Sequence, residues 1–366
     1  MIRRLLGKLF PGTKGRRFAA WQIELTTRCP LLCKMCPRDA ATQWHTGDMQ
    51  IDDFMKLVPY LRDVETAVLE GWGEPLLYRD LPKVIRLVKE AHCQTGFVTS
   101  GWGLDEDRIL ELIDAGVDFI GFSLAGATPG THNVIRANSN LHSVLRSIQV
   151  FQEVKARRKL TCPKLYIVFL ILRDNLAELP LVVDCAKESG IDEIAVVNLI
   201  HVANKWQETQ RLFTCEEAEG YNVLKEAAVK ARALKIRLRL ASVAPREVGV
   251  CAENPLRNLY ISVDGNVSPC VYLYPPIPSP FRRVFCGGDR SVSKVSFGNI
   301  FEEPFEGIWN GKPYAAFRRS FTERQKNFED KYPALITDSE PIAGSGAIPL
   351  TPPPEPCRTC HKMLGV

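Results

Sequence analysis

Three cysteines within eight residues, in the stretch WQIELTTRCPLLCKMCPRD from Trp21 to Asp39, constrain this chain more than any other feature. Trp21 to Thr27 alternate apolar and polar residues and carry Ile23, Thr26 and Thr27, which predicts a strand ending at a site. Cys29, Cys33 and Cys36 follow at spacings of four and three. Three thiolates on one short loop can wrap a single compact metal centre and leave one metal position without a protein ligand; that open position is where chemistry is expected. Structural zinc usually takes four ligands in two short pairs, and no fourth Cys or His lies at that distance, His45 being the nearest imidazole. Count and spacing therefore favour iron and sulfur over zinc.

Cys29, Cys33 and Cys36 after a first strand resemble the pattern of the radical S-adenosylmethionine enzymes. The resemblance implies a 4Fe-4S cluster on these three cysteines, with the amino and carboxylate groups of S-adenosylmethionine chelating the fourth iron. It implies that one electron, delivered by a low-potential donor such as flavodoxin or ferredoxin, releases a 5'-deoxyadenosyl radical. Met35 stands where the family often has an aromatic residue, which weakens a packing contact to the cofactor and leaves the cluster expectation unchanged.

At 366 residues and 45% hydrophobic content the chain can bury one large core, or one and a half domains. The net charge of +5 comes without a dense Lys/Arg block interleaved with aromatics, so no nucleic acid partner is expected. No run of eighteen apolar residues exists, so no membrane span is expected. The opening MIRRLLGKLFPGTKGRRF is basic, and residues 1–20 read as a frayed or docking arm in preference to a membrane-surface anchor. Cysteines at irregular spacing, with Cys93, Cys162 and Cys185 read as buried single thiols, suit the reducing cytoplasm better than a disulfide framework.

Residues 21–241 repeat one theme, a short β-branched run followed by an amphipathic helical pattern. Strands are expected at Trp21 to Thr27, Thr66 to Leu69, Gly96 to Thr99, Phe119 to Ser123, Lys164 to Leu172 and Glu193 to Asn198. Helices are expected near Asp52 to Arg62, Leu81 to Ala91, Asp105 to Ala115, Leu141 to Arg157 and Ala177 to Ser189. In the fourth helix Val144, Ile148, Phe151 and Val154 share one face. Strict alternation argues for an α/β fold with a parallel sheet and outer helices, and six units make a partial (β/α)6 TIM-like barrel, which the family resemblance also implies. Sites in such folds sit at the carboxyl ends of strands.

The second expected strand ends in Glu70-Gly71-Trp72-Gly73-Glu74-Pro75, where glycines let backbone approach a ligand beside a carboxylate. It resembles the family's motif for the cofactor amino group, which implies that role for Gly73 and Glu74. Ser123 at a strand end and Arg136 beyond it resemble the ribose and carboxylate contacts, although Ala125 stands where relatives often carry Asp. Without the resemblance they read as a strand-end serine and a helix-surface arginine. Asn198 either faces the adenosine or caps the next segment. No catalytic residue is assigned.

Beyond residue 241 the pattern changes. Leu259, Ile261 and Val263 alternate, Asp264 and Gly265 form a hairpin turn, and Val267 begins the return, so the hairpin can bring Cys251 and Cys270 together. FGNIFEEPFEGIWNGKPYAAFRRSF reads as a turn and two short helices, followed by a Pro/Gly/Ser-rich loop over roughly 331–355 and the pair Cys357 and Cys360. Residues 242–366 resemble the SPASM and twitch extensions of radical enzymes. The resemblance implies one auxiliary 4Fe-4S cluster on Cys251, Cys270, Cys357 and Cys360, because the further cysteines of a two-cluster set are missing. A zinc site on the same four thiols is the competing reading. Cys215 and Cys286 read as spare thiols.

Four thiolates leave no auxiliary iron open to substrate, so the implied role is to accept an electron after hydrogen abstraction, as in dehydrogenation or oxidative bond formation. The substrate is a small molecule or a peptide. Only twenty residues precede the first strand, too few for an independent recognition domain, so a peptide would need a separate partner or direct capture. The alternatives from other classes are a non-catalytic iron-sulfur electron carrier and a zinc-binding interaction protein.

Overall fold

The computed structural model describes residues 15–331 and 350–366. Most of the basic arm and most of the 331–355 loop lie outside the described residues. The chain runs β1 (Phe18–Ile23), β2 (Leu32–Cys33), α1 (Ile51–Leu61), β3 (Val64–Val68), α2 (Leu81–Glu90), β4 (Gln94–Thr99), α3 (Glu106–Ala115), β5 (Phe119–Leu124), α4 (Pro129–Ile135) and β6 (Arg136–Ala137). It continues through α5 (Leu141–Arg157), β7 (Lys164–Ile171), α6 (Leu179–Glu188), β8 (Glu193–Asn198), α7 (Lys205–Thr209), α8 (Tyr221–Ala233) and β9 (Arg237–Arg239). The remainder carries β10 (Asn258–Ile261), β11 (Val267–Ser268), β12 (Phe281–Phe285), β13 (Gly288–Val292), α9 (Phe305–Asn310) and α10 (Lys312–Lys331).

The main sheet has the order β11-β10-β1-β3-β4-β5-β7-β8-β9 and stays open, with β11 and β9 as its ends. All neighbours are parallel except β10 and β11. The expected six-strand barrel thus gains β9, a three-residue Arg-Leu-Arg strand with no apolar run to announce it, placed by pairing Glu193 with Arg237. It also gains β10 against β1, with Ala20 opposite Asn258, so the C-terminal region extends the barrel sheet. The first strand lies three residues earlier than expected and ends at Ile23, after which Thr27 N turns away to donate to Gly47 O at 3.0 Å.

The helix faces follow their spacing. Val144, Ile148, Phe151 and Val154 on α5 are all buried, and the Asn140 side chain caps this helix by accepting from Ser143 N at 3.1 Å. Each such side chain contributes roughly 1.5–3 kcal/mol by burial. Inside the barrel, Val68, Phe119 and Tyr166 form a separate cluster with Val98 and Val168.

The β10–β11 turn forms as expected, with Gly265 at φ +80°, and a Cβ there would lie 2.5 Å from the Asn299 side chain. The two short helices expected after it are six and twenty residues long, because α10 keeps an apolar stripe that includes Tyr314 and Phe321, both fully buried. Cys93 is buried and Cys185 half-buried, but Cys162 is exposed, in the turn between α5 and β7. Cys215 and Cys286 are joined in a disulfide, so they are not spare thiols. Fold proximity, invisible in their spacing, brings them together. No helix among the described residues is long and apolar enough to cross a membrane.

Candidate iron-sulfur and cofactor site

The cysteine loop leaves the carboxyl end of β1 and is fixed from several sides. Cys36 N donates to Cys33 O at 3.0 Å, Lys34 N donates to Ile135 O at 3.0 Å, and Cys33 pairs with Arg136 in the short β2–β6 ladder. Gln207 on α7 donates from Nε2 to Lys34 O at 3.0 Å and to Cys36 O at 3.1 Å. Arg38 donates to Cys29 O at 2.9 Å. All three cysteines are half-buried. Burial first, then Cys33, pushes the Cys36 thiol up to about 12, and burial also raises Cys29, with Glu74 and Cys33 adding. Buried sulfurs that repel each other as thiolates suit a cation placed among them. His45 takes no part, lying 3.3 Å from Asp264 instead.

The turn after β3 is pressed against this loop. A Cβ on Gly73 would sit 2.2 Å from Thr26 O, and Glu74 N donates to Arg28 O at 2.8 Å, so only glycine allows the approach. The Glu74 carboxylate is buried and accepts four hydrogen bonds. Oε1 takes Thr99 Oγ1 at 2.5 Å and Leu76 N at 3.2 Å, while Oε2 takes Ser100 N at 2.8 Å and Ser100 Oγ at 2.6 Å. Glu74 therefore locks its turn to the end of β4.

Ser123 sits half-buried near the end of β5, and Arg136 reaches the cysteine loop as the backbone partner of Cys33, not as a helix-surface residue. Its Nε is buried with no hydrogen-bond partner among the described residues. Asn198 ends β8 and donates to Ser242 O at 2.7 Å. It also borders a cavity of about 260 Å³ beneath the cysteine loop, bounded by Met35 and Pro37 of that loop and by Val68, Val98 and Val168 of the barrel. Thus Gly73, Glu74, Arg136 and Asn198 gather around the cysteine loop or its cavity. Gln207 and Glu24 escaped the sequence reading. Glu24 follows β1, accepts from Trp72 N at 2.6 Å and Tyr260 Oη at 2.7 Å, and has its carboxyl pushed up to about 7 by burial.

The second group of cysteines comes from two distant segments. Cys251, Cys270 and Cys357 pack in one apolar cluster, and Cys360 N donates to Cys357 O at 3.1 Å. Burial pushes Cys251 up to about 12 and also raises Cys270 and Cys357 well above the ordinary thiol value, with Cys360 adding to all three. Buried Arg283 holds the arrangement, donating to Tyr272 O at 3.0 Å and Pro356 O at 3.2 Å. Lys362 pairs with Glu253 at 3.1 Å beside the cysteines; burial alone would lower its ammonium, but Glu253 and Tyr272 outweigh that and raise it. Arg211 donates to His361 Nε2 at 2.8 Å, which leaves Nδ1 to donate to Ile200 O at 3.3 Å.

Residues 23–201 match the radical SAM superfamily, and residues 251–333 match SPASM, an iron-sulfur cluster-binding domain. The chain is thus built on a radical SAM domain and a SPASM domain. It is 25% identical over 306 residues to a tungsten-containing aldehyde ferredoxin oxidoreductase cofactor-modifying protein of Pyrococcus furiosus, covering 81% of this chain and 82% of that protein. It is 28% identical over 183 residues to a PqqA peptide cyclase of Streptomyces rochei, a match that spans about half of each, 49% and 48%. The fold is similar to that of Streptococcus suis SuiB bound to S-adenosylmethionine, with a TM-score of 0.63 at 15% identity over 82% of this chain and 68% of that one. As a radical SAM protein with a SPASM domain, it takes a 4Fe-4S cluster, S-adenosylmethionine and an auxiliary cluster. The chemistry of the donor sets suits these groups: three half-buried sulfurs on one loop above a cavity, and Cys251, Cys270 and Cys357 packed in one apolar cluster with Cys360 near enough to raise all three, although among the described residues no three such side chains stand in metal-holding geometry. The SPASM match contains Cys251 and Cys270 and ends before Cys357, and the fold brings the Cys357–Cys360 pair alongside.

Proposed function

We propose that this radical SAM enzyme carries out an oxidative modification of a peptide or a small molecule, with the barrel cavity as the substrate site. The single observation behind it is the half-buried cysteine loop standing over that cavity at the carboxyl ends of the strands. When bound, the cluster and S-adenosylmethionine supply a 5'-deoxyadenosyl radical for hydrogen abstraction, and the auxiliary cluster supplies an acceptor for a second electron. In this reading Cys29, Cys33 and Cys36 hold the first cluster, and Cys251, Cys270, Cys357 and Cys360 fill the second. The Gly73 turn receives the cofactor amino group, with Glu74 positioning that turn through its four hydrogen bonds. Arg136 answers the cofactor carboxylate, and Ser123 and Asn198 face its nucleoside end.

Functionally the chain divides into a barrel over 21–241 and an auxiliary-cluster region over 242–366, with an external low-potential donor such as flavodoxin or ferredoxin. Two matched relatives, the peptide cyclase and the cofactor-modifying protein, support the two substrate classes. The test is anaerobic reconstitution with iron and sulfide counts, then dithionite and S-adenosylmethionine. Formation of 5'-deoxyadenosine supports the reading, and its absence from cluster-loaded protein refutes it in favour of an electron carrier.

A further inference from the structure

The barrel cavity carries a polar signature that the reading above does not use. Its walls are mostly apolar, yet Trp72 and His201 both border it, with their rings edge to face at 5.7 Å. His201 also stacks on Phe281 at 5.7 Å, which fixes its plane. Trp72 Nε1 and both His201 ring nitrogens are buried without a hydrogen-bond partner among the described residues. Leaving one buried polar group unsatisfied costs on the order of 1–3 kcal/mol, so three in one wall point to a ligand that pairs with at least two of them. Burial first, then Arg283, pushes His201 down to about 3, so the neutral ring offers one N–H and one lone pair.

We propose that Trp72 and His201 are specificity-determining residues that read a hydroxyl on a compact, otherwise apolar part of the substrate. A hydroxyl accepts from Trp72 Nε1 and donates to the free lone pair of His201, so it answers both kinds of group. An ammonium has only donors and leaves the Trp72 N–H orphaned. A carboxylate has only acceptors and would enter a cavity already lined by Glu70. The volume of about 260 Å³ exceeds the roughly 150 Å³ that suffices for a benzene ring, so a phenol or branched alcohol fits. The inference rests on the cavity being the substrate site.

The test uses the full chain, anaerobic and cluster-loaded with S-adenosylmethionine, and two probes, p-cresol and toluene, with affinities from ligand-observed NMR. The expected result is p-cresol binding about tenfold tighter than toluene. Trp72→Phe and His201→Phe each bring that ratio toward one, whereas His201→Gln, which keeps a donor and an acceptor, retains most of it. Iron content and unfolding midpoint report separately that each variant is folded. Equal affinities in the unmodified protein, no binding of p-cresol, or a ratio that survives both Phe substitutions would overturn the inference. Tight p-cresol binding with no 5'-deoxyadenosine would instead overturn the proposed function alone.

Discussion

The two cysteine groups solve opposite problems. Cys29, Cys33 and Cys36 lie on one eight-residue loop, half-buried and fixed by backbone hydrogen bonds within the loop and to Ile135, with the Gln207 side chain of α7 donating to two of its carbonyls. Cys251, Cys270, Cys357 and Cys360 come from distant segments, with Cys357 buried and the other three half-buried, and are tied by single long-range side chains such as Arg283. A site that must admit a cofactor keeps a face towards a cavity; a site with a full ligand set can be enclosed. The first should tolerate damage elsewhere in the fold, and the second should not.

The largest contrast is expected from the ligands themselves. Changing Cys29, Cys33 or Cys36 to Ala should abolish 5'-deoxyadenosine formation, by about a thousandfold or more, while about half of the iron remains, held by the other group. Cys357→Ala with Cys360→Ala should do the reverse, removing the second cluster and the oxidised product but leaving cofactor cleavage. Full product from that double variant would remove the electron-acceptor role.

Next comes Arg283→Met, which strands the buried carbonyls of Tyr272 and Pro356. It should cost roughly 3 kcal/mol in urea unfolding and lower the auxiliary iron selectively. Equal loss of iron from both groups would break the comparison.

The same contrast explains what could be read from the chain. The face of α5 and the Asp264-Gly265 turn are local patterns, and each is present as expected; the first cysteine group is likewise a local pattern, carried on one loop. Arg283, Gln207 and the Cys215–Cys286 disulfide depend on residues brought together only by the fold, and nothing in their neighbours marks them. β9 stayed hidden because three residues, two of them arginine, carry no periodicity. Glu74 stands out in the sequence as a candidate, but its four hydrogen bonds depend on where β4 ends.

The last effect, spread over several pH units, concerns two buried acids, Glu24 and Glu70. Burial holds the Glu24 and Glu70 carboxyls up at about 7, above their ordinary value of 4.5. The folded state therefore binds these protons more tightly than the unfolded chain. Their contribution is fully present below about pH 4.5 and is lost as pH rises through about 7. Urea unfolding should show stability falling between these limits, by roughly 3 kcal/mol per group at most. Glu24→Gln should flatten the curve, and a flat curve for the unmodified protein would contradict the assignment.

The central claim is an iron-sulfur centre on three thiols of the loop between β1 and α1, with one iron left for S-adenosylmethionine. Electron paramagnetic resonance of the reduced, anaerobic Cys357→Ala, Cys360→Ala protein isolates that centre. The account predicts a 4Fe-4S signal that shifts when S-adenosylmethionine is added; a signal unmoved by the cofactor, or no such signal, would contradict it.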